Sequence, residues 1–105
     1  MTQEKVIKVV ADYKDPGLIE RIPANFRRFW VDIKWMHTDC NDNDMCTIFL
    51  ALYERYTMEN IDLSITTLSK MVDVDSVEIL NDYKINNFDI KYKSSTKYEW
   101  GELIE

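Results

Sequence analysis

His37, Asp39, Cys40 and Cys46 are the residues whose types permit metal chemistry, because imidazole, carboxylate and thiolate are the ordinary ligands of zinc. Their spacing matches none of the zinc patterns, which place ligands in close pairs and repeat the pair further along the chain. Asp39, Asn41 and Asn43 echo the start of a calcium loop. Asp44 stands where that loop needs its turn glycine, and Leu50 stands where a bidentate glutamate should close it, so the loop fails. No metal and no other cofactor is expected. Nothing at a recognisable spacing would activate Cys40, Cys46 or a serine as a nucleophile, and the single histidine falls among apolar residues. With only two glycines and two prolines there is no glycine-rich phosphate cradle. The chain is not expected to be an enzyme.

These residues must be carried by one domain, because 105 residues with 46% hydrophobic content bury a core without metal or disulfide staples. The reading is a single domain over 1–105, with an N-terminal strand and helix in 1–43 and a core in 44–101. Two cysteines, no Asn-x-Ser/Thr acceptor and no signal-like apolar stretch place it in the cytosol of its host. The longest apolar run, Met45 to Tyr53, is far shorter than the roughly 20 residues of a membrane span, so no membrane partner is expected. A net charge of −6 and a pI near 4.7 argue against a generic polyanion binder.

Lys5 to Tyr13 is rich in valine and isoleucine and reads as a strand, although Val6, Val9, Val10 and Tyr13 also fit one helical face. Asp15-Pro16-Gly17 is a turn, and Pro23 permits a helix to begin. From Ala24 to about Thr38, Phe26, Phe29, Trp30, Ile33 and His37 recur at helical spacing and predict a buried face. Val31 and Trp35 then project to the other side beside Arg27, Arg28 and Lys34. Either this side is a surface for a protein partner, or a neighbouring strand or loop covers Trp35. Asn43 caps a central helix over Asp44 to Met58, whose stripe is Ile48, Phe49, Leu52, Tyr53 and Tyr56.

After a short Ile61-Asp62-Leu63 segment, Ser64 caps a helix over Ile65 to Val72, with Leu68 and Val72 one turn apart. Asp73-Val74 makes a tight corner, and Asp75 with Glu78 forms a capping box for a further helix. Phe88 to Tyr92 and Tyr98 to Trp100 alternate on either side of a polar tip, as in a β-hairpin. The order, and the segment Leu68 to Tyr83 in particular, resembles a winged helix-turn-helix over about residues 44–101. Ser69 stands where two helices approach, Leu68, Val72, Val74 and Ile79 at packing positions, and Tyr83 at the close of the third helix. With the aromatic segment Asn25 to Trp35 in front, the layout is also similar to the N-terminal domain of phage replisome-organiser proteins. The fold class implied is α+β, mostly helical, with an N-terminal strand and an extra aromatic-rich helix.

In that family the third helix reads DNA and the wing touches phosphate. Here the resemblance puts Glu78, Asn81, Asp82 and Ile85 on the outer face of that helix, where carboxylates oppose DNA. Asn81 is the one residue there suited to reading adenine. Lys91, Lys93, Ser95 and Lys97 lie on the wing. These lysines either contact nucleic acid or keep a hairpin edge from pairing with other strands.

The leading expectation is a small acidic regulatory or adaptor protein of viral or mobile-element type. It would bind a protein of the replication, transcription or defence machinery through Val31, Trp35, Arg28, Glu78, Asp82 and Ile85. One alternative is a DNA-binding winged-helix regulator acting as a homodimer. The other is an immunity, antitoxin or DNA-mimic inhibitor that presents Glu78 and Asp82.

Overall fold

The computed structural model describes residues 4–12, 17–53, 58–86 and 89–104. The expected N-terminal strand is present as β1 (Glu4–Asp12), and its alternation organises the molecule. Ile7, Val9 and Ala11 are buried toward two helices, while Val6, Lys8 and Val10 face the opposite side of the sheet. After α1 (Leu18–Arg28) come β2 (Ile33–Cys40) and β3 (Met45–Tyr53), then α2 (Met58–Ser69) and β4 (Val74–Asn81). Two short strands, β5 (Lys84–Asn86) and β6 (Asp89–Lys91), pair only with each other, and β7 (Ser94–Glu99) and β8 (Glu102–Ile104) complete the chain.

The main sheet runs β2-β3-β1-β4-β7-β8, and every neighbouring pair is antiparallel. Strands β1 to β4 with the two helices form a βαββαβ unit, in which each helix crosses the sheet and returns the chain to a strand beside the central pair. Leu18, Ile22 and Phe26 of α1 recur every fourth residue, and Ile61, Ile65 and Leu68 of α2 do so at helical spacing. All six are essentially inaccessible and meet Ile48, Leu50, Leu52 and Val77 of the sheet. Each such side chain contributes about 1.5–3 kcal/mol by leaving water. Asn25 joins the helices by donating from Nδ2 to the Ser64 carbonyl at 2.8 Å.

The winged helix-turn-helix is absent. Among the described residues 49 lie in strands and 23 in helices, the reverse of the mostly helical expectation. The central helix expected over Asp44 to Met58 is mostly β3, a strand with both faces covered. Its even residues Cys46 to Leu52 are buried under the helices, and Ala51 is buried on the other side. The expected aromatic helix from Ala24 to Thr38 ends at Arg28 and becomes β2. Pro23 lies inside α1 rather than at its start, and removes the amide that would reach the Ile19 carbonyl.

The supposed reading helix is β4, so Asp75 and Glu78 form no capping box. Ser64 is buried inside α2, donating to the Ile61 carbonyl, and caps nothing. Val72, expected to pack one turn after Leu68, is 87% exposed in the loop before β4. The expected hairpin of residues 88–100 does not form either: β6 pairs with β5, while β7 pairs with β4 and β8. The Asp15-Pro16 turn, Tyr13, Tyr56 and Phe88 lie outside the described residues. No helix among the described residues is long and apolar enough to cross a membrane.

Candidate functional site

The end of α1 fixes the first cleft. Phe29, Trp30 and Val31 terminate the helix by donating to the carbonyls of Phe26, Arg27 and Phe26 at 3.0–3.1 Å, with Trp30 in the left-handed region at φ 60°. This is a Schellman stop, and its usual apolar contact is supplied by Val31, 4% exposed, in the same core as Phe26. The stop turns the chain so that Asp32 lies beside the end of β3, where the Tyr53 amide donates to the Asp32 carbonyl at 3.0 Å. Between these pieces is a cleft of about 390 Å³ lined by Pro23, Arg27, Val31, Asp32, Ile33 and Tyr53. Its lining is mostly polar and its charges are opposed, Arg27 from the last turn of α1 and Asp32 from the link to β2. Arg27 is exposed and makes no ion pair among the described residues.

A second, smaller groove of about 230 Å³ runs between the helices, lined by Arg21, Ala24, Asn25, Arg28, Thr67 and Met71. Arg21 is held by Asp73 at 2.8 Å. The two openings lie on either side of α1.

Of the residues expected to face a protein partner, Val31 is a buried wall of the first cleft and Arg28 lines the second groove. Trp35 is half-buried on the sheet face away from the helices. There it packs with Val6, Ala51 and Leu80, alongside Tyr83, Ile90 and Tyr92 from the β5–β6 segment. Glu78 sits on the same face, 3.8 Å from Lys8 Nζ and 3.4 Å from the Ser95 hydroxyl. Asp82 occupies the turn after β4 at φ 51°, and Ile85 is exposed on β5. The structure therefore does not bring these six residues together.

Nor is there a wing. Lys91 is on β6, 3.9 Å from Asp89; Lys93 is in the link to β7, its amide donating to the Asn81 carbonyl; Ser95 and Lys97 are on β7, with Lys97 3.3 Å from Glu99. Asn81 ends β4, exposed, with no recognition helix to carry it. Cys40 and Cys46 are bonded to each other across the β2–β3 pair, so the thiols weighed with His37 and Asp39 for zinc are consumed. Of the Asp39, Asn41 and Asn43 set, Asp39 is on β2 opposite Thr47, and Asn41 and Asn43 make the β2–β3 turn, where Asn41 Oδ1 accepts from the amides of Asn43 and Met45.

Nothing in the sequence marks Pro23, Arg27, Asp32 and Tyr53 as a set. Their only joint signal is the juxtaposition of helix end and strand end, which appears once the strands are paired.

No protein-family model and no curated protein sequence matches the chain. Solved structures match in shape. The crystal structure of the ACT domain from GTP pyrophosphokinase of Chlorobium tepidum is similar with a TM-score of 0.64 and 20% identity, over 76% of this chain and 100% of that one. The solution structure of the same domain gives 0.64 and 17%, over 82% and 94%. The C-terminal domain of the MgtC protein from Mycobacterium tuberculosis gives 0.57 and 16%, over 72% and 83%. These likenesses overturn the winged-helix and replisome-organiser resemblances, and with them the adaptor, DNA-binding and DNA-mimic roles argued from a reading helix. In fold, the chain is similar to the ACT domains, a ferredoxin-like arrangement of an antiparallel sheet under two helices.

Proposed function

We propose that this chain is a non-catalytic regulatory domain that binds a small zwitterion in the cleft at the end of α1. The observation that carries the reading is that Arg27 and Asp32 line one cleft together with Tyr53. A guanidinium takes a carboxylate through paired N–H donors, a carboxylate takes an ammonium, and charge-assisted bonds of this kind contribute about 1.5–3 kcal/mol each. A ligand with only one of the two groups engages only one of the two residues. The neighbours in fold are domains of longer proteins, which supports a role in which ligand occupancy is passed to a protein partner. Edge strand β2, eight residues long and without proline, is the natural place for a second copy to add a strand.

The cytosolic placement expected from the sequence meets an opposing observation in the Cys40–Cys46 bond, because such bonds persist in oxidising compartments. We assign the bonded form to an oxidising setting. The cleft does not depend on it, since neither cysteine lines it.

Titration calorimetry with L-alanine, propanoate and ethylamine tests the reading. L-alanine is expected to bind at least tenfold tighter than either fragment, with the preference lost in Arg27→Ala and in Asp32→Asn. Equal affinities for the three, or no heat at all with any small zwitterion of this size, would refute it.

A further inference from the structure

The groove between the helices holds polar groups that the fold itself does not use. Asn25 is only 5% exposed, and its Nδ2 is spent on the Ser64 carbonyl. That bond fixes the orientation of the amide, leaving Oδ1 as an acceptor with no hydrogen-bond partner among the described residues. This oxygen is not sealed from solvent, so a ligand in the groove that donates to it can take the place of water there. Asn25 lines the groove together with Thr67, whose hydroxyl also has no partner among the described residues, and Arg28, which makes no ion pair among them. Ala24 and Met71 supply the apolar wall. Arg21, seven residues and two helical turns before Arg28, lies on the same side of α1, its charge offset by Asp73.

We propose that this groove is a second binding site, independent of the cleft at the end of α1, and that it takes a small α-hydroxycarboxylate. The carboxylate pairs with the Arg28 guanidinium, the ligand hydroxyl donates to Asn25 Oδ1, the Thr67 hydroxyl completes the polar contacts, and the short carbon chain lies on Ala24 and Met71. The choice of hydroxyl over ammonium follows from charge. No carboxylate lines this groove, whereas two guanidiniums do, and an ammonium between them gains no counter-ion. In the first cleft Asp32 supplies that counter-ion, so the two sites select opposite members of a pair that differ in one substituent.

L-lactate, L-alanine and propanoate form the test, by titration calorimetry on the whole chain, wild type and the Arg28→Ala, Thr67→Val and Arg27→Ala variants. L-lactate is expected to bind the groove at least tenfold tighter than propanoate. Arg28→Ala should lower L-lactate affinity at least tenfold, Thr67→Val severalfold, and Arg27→Ala should leave it within twofold. Both Arg28 and Thr67 are accessible enough for their variants to fold, which melting of each variant verifies. Indistinguishable affinities for L-lactate and propanoate would overturn the proposal, as would loss of L-lactate binding in Arg27→Ala with retention in Arg28→Ala. Failure of L-alanine to bind, with L-lactate binding retained, would sink the first cleft and leave this site standing.

Discussion

Arg27 and Arg28 are consecutive residues in the last turn of α1, yet they line different clefts, Arg27 the one that holds Asp32 and Tyr53, and Arg28 the one between the helices. A step of about 100° around the helix separates them. Removing one should therefore leave the other's ligand unaffected. Arg27→Ala is expected to weaken L-alanine binding at least tenfold, about 1.4 kcal/mol or more, with unfolding free energy changed by no more than about 0.5 kcal/mol. Calorimetry and urea unfolding on the same sample check both halves.

Trp30 ends α1 in a left-handed conformation and is 76% exposed, so it pays the steric cost of that conformation with little packing in return. Glycine carries no such cost. Trp30→Gly should raise unfolding free energy by about 0.5–1 kcal/mol, measured by urea titration. A fall of similar size would show that the indole contributes contacts this account does not include.

Gly101 is the mirror case. It lies at φ 79° in the β7–β8 turn, its amide donates to the Ser69 hydroxyl at 2.8 Å, and a Cβ there would run into the Lys70 side chain. The lysine stem can move aside, so the backbone term dominates, and Gly101→Ala should cost about 1 kcal/mol. Thermal melting of the variant reads this directly.

Phe26 is fully buried between α1 and the sheet and is the largest side chain in the core. Phe26→Ala should cost about 3–5 kcal/mol through lost transfer energy and a residual cavity. An unfolding midpoint close to that of the wild type would contradict the two-layer packing.

The Cys40–Cys46 bond closes a loop at the β2–β3 turn, and reduction should cost about 2 kcal/mol on the chain-entropy estimate while leaving the fold in place. Far-ultraviolet dichroism and denaturant unfolding, with and without reductant, separate these effects.

How far the sequence discloses this fold depends on whether a strand has one solvated face. β1 was legible because Lys5 and Lys8 break its apolar run and its valines favour extended backbone. Met45 to Tyr53 was not, because a strand covered on both faces reads as an unbroken apolar run, which periodicity cannot distinguish from a buried helix. The helical spacing seen from Phe26 to His37 was accidental. Phe26 belongs to α1 and Ile33 and His37 to β2, with the Schellman stop between them, and the left-handed residue there is a tryptophan instead of the glycine that announces such a stop. Asp73, Asp75 and Glu78 imitated a corner and a cap because turn residues and strand surface residues draw on the same carboxylates.

The candidate site was less legible than the fold. Arg27, Arg28 and Val31 stood out only as members of one supposed helix face. Asp32 and Tyr53 are 21 residues apart and meet because the Tyr53 amide donates to the Asp32 carbonyl. That pairing is a property of sheet register, which no local pattern contains.

The most direct test of the zwitterion cleft is an amide ¹H–¹⁵N titration with L-alanine. Saturable shifts are expected, concentrated at Arg27, Val31, Asp32, Ile33 and Tyr53, with propanoate and the Arg27→Ala variant requiring at least tenfold more ligand. Saturating L-alanine that leaves those amides unmoved, or moves them at the same ligand concentrations in Arg27→Ala, would contradict the zwitterion cleft.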